Sequence, residues 1–113
     1  MNVTRFDHAP EYSPPNHFGM RCVRLQGHEA GPSDVLWLGV SIIEPGGSTT
    51  LSASSVEKHY VVLEGAVTVQ TDEGEETLTR HDSCRLAPDE RRALFNRTDR
   101  PALILLAMPH MHR

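Results

Sequence analysis

At 113 residues, with 38% hydrophobic and 23% charged positions, the chain has room for one globular domain and one core. A net charge of −4 gives no overall pull toward nucleic acid or an anionic membrane surface, and no apolar run approaches membrane-spanning length. The opening residues Met1 to His8 hold no apolar stretch of signal-peptide length, and Cys22 and Cys84 make neither a disulfide framework nor a Cys-x-x-Cys pair, so a cytoplasmic protein with two reduced thiols is expected.

Residues 1–20 read as an extended arm, because Pro10, Pro14, Pro15, Asn16 and Gly19 forbid a stable helix, and 21–113 read as a single barrel domain. The signals that follow are almost all β. Residues 21–25 alternate, and 35–43 form a long apolar run that is expected to end at Pro45-Gly46-Gly47. A Ser/Thr-rich stretch covers 48–54. Strands are then expected at 58–63, 66–71, 75–80, 83–87, 92–97 and 101–107, with turns at Glu64-Gly65 and Asp72-Glu73-Gly74 and with Pro88 and Pro101 as punctuation. Short strands with a turn signal every eight to twelve residues define an all-β antiparallel sandwich or barrel, and closure into a jelly roll hides its strand edges.

Within this pattern, the stretch from Pro45-Gly46 to Glu64-Gly65 resembles the first motif of the cupin family: Gly, five residues, His, one, His, three or four, Glu, six, Gly. Counted from Gly46, the two histidine positions fall on Ser52 and Ser54, the glutamate position on Lys58 and the closing glycine on Gly65. The second cupin motif, anchored on Asn96, places His81 at its first glycine, Ala87 at its proline, Asp89 at its second glycine and Arg92 at its histidine; Asp82 and Asn96 match. The resemblance implies a small antiparallel jelly-roll barrel. It also implies that the four positions at which cupins hold Fe, Mn, Ni or Zn carry Ser52, Ser54, Lys58 and Arg92. Serine hydroxyls are poor ligands and Lys and Arg repel a cation, so no metal cofactor is expected there.

Alternation puts Lys58, Tyr60 and Val62 on one strand face and His59, Val61 and Leu63 on the other. The resemblance turns the first set inward, where Lys58 and Arg92 converge. Two neighbouring cations repel unless an anion lies between them or the lysine is neutral. The expected ligand is therefore a small organic anion, a carboxylate above all, bound by Ser52, Ser54, Lys58 and Arg92. Lys58 and Tyr60 are the candidate catalytic residues for proton-transfer chemistry such as isomerisation, decarboxylation, cyclisation or elimination. Neutralisation of the pair by Glu44, Glu57 or Glu90 is the competing arrangement. A non-catalytic binding or accessory module is one alternative, and a metalloenzyme using some of His17, His59, His81 and Cys84 is another. His59 is expected on the surface, Trp37 in the core, and His110 with His112 in a disordered tail; His8 and His17 are expected on a solvated arm, the alternative being that this arm folds over the barrel mouth. A barrel of this size gains from burying more apolar surface, so a homodimer is expected.

Overall fold

The computed structural model describes residues 1–110. Nine strands follow in chain order: β1 (Glu11–Tyr12), β2 (His17–Gln26), β3 (Leu36–Thr49), β4 (Lys58–Glu64), β5 (Ala66–Thr71), β6 (Gly74–Thr79), β7 (Ser83–Leu86), β8 (Arg92–Phe95) and β9 (Ala102–Pro109). They pair antiparallel throughout, in the order β6-β5-β8-β3-β9-β4-β7, with β2 added along β3 and β1 along β2. Among the described residues the only helical pieces are short 3-10 turns at Phe6–His8 and His28–Ala30, and no helix is long and apolar enough to cross a membrane. The all-β barrel expected from the strand signals is the fold.

Inward residues of every long strand meet in one core. Ile43 and Ile104 face Val62, Val67 and Leu94, all nearly inaccessible to water. The continuous apolar run of β9 has a simple cause, since it is covered on both faces. Ala102, Ile104 and Leu106 fill the barrel, while Leu103 and Leu105 pack outward against Ala9, Val23 and Val40. Ala9 belongs to the segment expected as an extended arm. That segment lies against the barrel: β1 pairs with β2, and β2 starts at His17 rather than at Arg21.

Pro45-Gly46-Gly47 does not end its strand. β3 runs through it to Thr49, and the neighbouring β2 register shifts between Phe18 and Met20 to accommodate the outward bend. The bend is pinned by Asn96, whose carbonyl accepts from Gly46 N at 2.9 Å and whose N–H donates to Gly47 O at 3.0 Å.

The backbone turns left-handed at four landmark positions of the two sequence motifs. Gly46 and Gly65, the glycine landmarks of the first, have φ of 80° and 79°. His81 and Asp89, which stand at the glycine positions of the second, have φ of 74° and 65°. These are left-handed turns that a side chain tolerates only at a cost. His81 is exposed and occupies its turn under that strain. His81→Gly is accordingly expected to stabilise the fold by about 0.5–1 kcal/mol, the relief of left-handed strain less the added freedom of the unfolded chain. Urea unfolding checks it, and a loss of stability would contradict the strain argument.

Candidate functional site

Lys58 opens β4 opposite Leu86, and the face it shares with Tyr60 and Val62 points into the barrel, while His59 and Leu63 point out. Arg92 opens β8. Its backbone forms a two-way bridge with Ser52, each N–H donating to the other's carbonyl at 3.0 Å. That bridge aims the Arg92 side chain across the barrel, where it is only 6% exposed. Its Nε donates to Tyr60 Oη at 3.2 Å, and its Nη1 donates to Ser52 O at 3.3 Å and Ser52 Oγ at 3.1 Å. Among the described residues, the guanidinium is thus held by neutral oxygens.

Lys58, Tyr60 and Arg92 line one open cavity of about 400 Å³. Among the described residues no carboxylate pairs with Lys58 or Arg92. Glu57 is held by His59 and Arg85 on the outside, the Glu90 carboxylate accepts from Ala87 N at 2.9 Å, and Glu44 is exposed. No Asp or Glu is among the described residues lining the cavity. Burial, with Arg92 nearby as the lesser cause, pushes the Lys58 ammonium down to about 8. Burial also raises the Tyr60 phenol, against the opposing pull of Arg92, so Tyr60 stays protonated and serves as a neutral hydrogen-bonding group.

The two serines have other duties. The Ser52 hydroxyl accepts from Arg92, and the Ser54 hydroxyl exchanges hydrogen bonds with the Val56 backbone, accepting from its N–H at 3.1 Å and donating to its carbonyl at 3.2 Å. Neither serine lines the cavity. Ser52 therefore supports the site from behind, and Ser54 shapes the loop before β4.

His17 is the residue that sequence reasoning left in solvent. At the first position of β2 it lines the cavity with Lys58 and Arg92. Its Nδ1 lies 2.7 Å from Pro15 O, an atom that can only accept, so Nδ1 carries the proton and Nε2 the lone pair. Burial, then Arg92 and Lys58, hold the imidazole below its ordinary range against the raising effect of the Pro15 carbonyl, and it is neutral at pH 7. The Pro14-Pro15 pair was the available signal, since a rigid extended dipeptide next to a strand fixes where the following histidine goes. Tyr12, Trp37 and Arg24 also line the cavity. Trp37 is in the core as expected and also lines the cavity, edge-on to Tyr12 at 5.9 Å, with the Arg24 guanidinium 3.6 Å from the Tyr12 ring centre and 4.3 Å from that of Trp37. Arg24 has a carboxylate partner, Glu29, at 3.2 Å.

The residues considered for an alternative metal site do not gather. His59 and His81 are exposed, and Cys84 lines a different cavity, on the β5–β7 side. Among the described residues no three His, Cys, Asp or Glu side chains stand close enough to hold a metal ion. His110 packs against His28 at 5.2 Å, and His112 lies outside the described residues.

A nine-stranded antiparallel barrel with an open cavity lined by both apolar and cationic side chains, and with left-handed turns at Gly46, Gly65, His81 and Asp89, defines a cupin. The chain belongs to the cupin domain family, whose match (Cupin_2) covers residues 39–108. It is 42% identical over 110 residues to the beta-D-galactosidase Rv1717 of Mycobacterium tuberculosis, covering 97% of this chain and 95% of that one. Solved structures with the same fold include the polyketide cyclase RemF from Streptomyces resistomycificus, with a TM-score of 0.86 at 18% identity over 96% of this chain and 79% of that one. A predicted oxalate decarboxylase from Thermotoga maritima superposes with a TM-score of 0.80 at 17% identity, over 98% and 100% of the two chains. A metal of the cupin kind does not fit the residues present. At the four ligand positions it would meet one hydroxyl committed to Arg92, another committed to Val56, and two cationic side chains.

Proposed function

We propose that this cupin is metal-independent and binds a small organic carboxylate between Lys58 and Arg92, with proton transfer as the chemistry it performs. One observation carries the reading: two cationic side chains share a cavity in which no described carboxylate answers them. Leaving buried charge without a partner is costly, so an anion bound from solution gains what the fold withholds. Arg92, already held by Tyr60 and Ser52, offers its remaining N–H groups as a fixed fork for a carboxylate. Lys58, titrating near 8, and neutral His17 supply a proton donor and a proton acceptor on the same cavity wall, which suits isomerisation, decarboxylation, cyclisation or elimination.

The test compares propionate with its uncharged amide by thermal unfolding at pH 7. Propionate at one hundred times its Kd is expected to stabilise the protein by about 2.7 kcal/mol. The effect should fade as pH rises through and above 8, where Lys58 loses its proton. Equal shifts by propionate and propionamide would remove the anion site.

A second reading follows from the curated relative, whose name is that of a galactosidase. Most glycosidases work with two carboxyl groups flanking the scissile bond, and the described lining of this cavity holds neither. Release of nitrophenol from a nitrophenyl β-D-galactoside, abolished by a cavity substitution such as Tyr60→Phe, would favour that reading over ours.

A further inference from the structure

Lysine is among the residue types least often buried. Here ten arginines take every other cationic position, and the chain's single lysine sits in the cavity. Arginine there would answer an anion at least as well, with a fork that matches a carboxylate and a charge that never leaves. What lysine alone adds is a primary amine able to become neutral and attack carbon. The surroundings favour that use. Leu94, Ile104 and Leu106 line the same cavity with hydrocarbon, and Arg92 stands beside Lys58 with hydrogen bonds, among the described residues, to the neutral oxygens of Tyr60 and Ser52.

We propose that Lys58 forms an imine with a carbonyl-bearing acid, of the 2-oxo acid class, whose carboxylate is held by Arg92. The inference rests on the carboxylate-binding reading above and names the substrate class of that site. The neutral Nζ adds to the carbonyl carbon, forming the C–N bond while the carbonyl oxygen takes up a proton. Loss of that oxygen as water leaves the C=N bond, with no change of oxidation state. A protonated imine accepts the electron pair released at the neighbouring carbon C3 and becomes an enamine, so a hydrogen on C3 can be removed or, where C3 bears a second carboxylate, that group can leave as CO₂, while the carboxylate held by Arg92 stays in place. With Lys58 engaged as the nucleophile, proton movement falls to His17, whose tautomer the Pro15 carbonyl has already fixed. The depressed lysine titration noted above supports a populated neutral amine near physiological pH.

The experiment treats the full chain with pyruvate and cyanoborohydride at pH 8, then maps modified peptides by mass spectrometry. Lys58 is the single lysine of the sequence, and the exposed α-amine of its Met1 is the internal reference for unassisted reaction. The Lys58 peptide is expected to gain the mass of pyruvic acid less one oxygen atom, at least about 10-fold faster than Met1 does. Acetone, which lacks the carboxylate, should label Lys58 roughly 10- to 100-fold more slowly than pyruvate, the factor a charge-assisted hydrogen bond supplies. Propionate should protect Lys58 and leave Met1 labelling unchanged. Because all of this is read on the unaltered protein, no variant has to fold for the test to stand. If propionate stabilises the protein yet Lys58 labels no faster than Met1, the imine proposal is overturned and the carboxylate site remains. If propionate has no effect and labelling is also unselective, both fall.

Discussion

Lys58→Met is expected to melt roughly 5–10 °C above the unsubstituted protein at pH 7 in the absence of ligand. The reason is that an ammonium held in the cavity beside Arg92, with no described carboxylate partner, costs the folded state free energy that an unbranched apolar side chain of similar length does not. Lys58 titrates at about 8 in the folded protein against 10.5 in the unfolded chain. Below pH 8 both states are protonated and the penalty is fully present. Between 8 and 10.5 the unfolded state holds the extra proton, so stability rises with pH, and above 10.5 the penalty is gone. Allowing for the part of the side chain that reaches water, the difference amounts to about 1–2 kcal/mol. The measurement is the difference in melting temperature between the two proteins from pH 6 to 10.5. It should shrink toward zero at the alkaline end. Lys58→Arg, which keeps the charge, should show no gain, and a constant difference across the range would refute the assignment. The gain in stability should come with loss of carboxylate binding, as expected where strain is held at a functional site.

Asn96→Ala is expected to be the more damaging change, costing about 3–4 kcal/mol and lowering the melting temperature by roughly 15 °C. Asn96 is 1% exposed and every polar atom of its side chain is used. Nδ2 donates to Ile43 O at 2.8 Å and Arg100 O at 2.7 Å, and Oδ1 accepts from Thr98 N at 3.0 Å and Thr98 Oγ1 at 2.7 Å. It thereby joins β3, the end of β8 and the turn before β9. Alanine would leave the Ile43 carbonyl without its buried donor and open a cavity besides. Asn96→Asp should be worse still at pH 7, because a carboxylate would face two carbonyl oxygens, and acidification should partly rescue it. Chemical unfolding at pH 7 and pH 4 checks both. A loss below 1 kcal/mol for alanine would show that water replaces the lost hydrogen bonds, and would remove Asn96 as the tie between β3, the end of β8 and the turn before β9.

Short-range rules made much of this protein legible in its sequence. Alternation along Lys58-His59-Tyr60-Val61-Val62 set which side chains share a face, because the period of a strand leaves no other choice, and the cupin resemblance turned the Lys58 face inward, where Tyr60 and Val62 are buried. The spacing from Gly46 to Gly65 and from His81 to Asn96 fixed the barrel register, and the left-handed φ at both ends of the first motif and at His81 and Asp89 is the physical content of that spacing. The turn at Asp72-Glu73-Gly74 and the bounds of β5 came from the same local information.

Tertiary structure decided the rest, for reasons that lie many residues apart in the chain. Whether Pro45-Gly46-Gly47 stops a strand or only bends it depends on whether a partner can follow the bend, and the partner is the backbone of Asn96. The serines at the ligand positions were given to the ligand by spacing, but hydrogen bonding assigned Ser52 to Arg92 and Ser54 to Val56, since a hydroxyl goes to whichever polar group the fold leaves nearest. Beyond the Pro14-Pro15 pair before it, His17 carries no local mark of burial. It lies in the cavity because β2 begins one strand's width from β3 and carries the arm over the barrel, where Ala9 covers an apolar face that would otherwise meet water. The strand pattern thus set the barrel, and the motif resemblance pointed the lysine inward. The meeting of Lys58, Arg92, Tyr60 and His17 in one cavity required the chain to close on itself, because their convergence depends on strand pairings that no local pattern encodes.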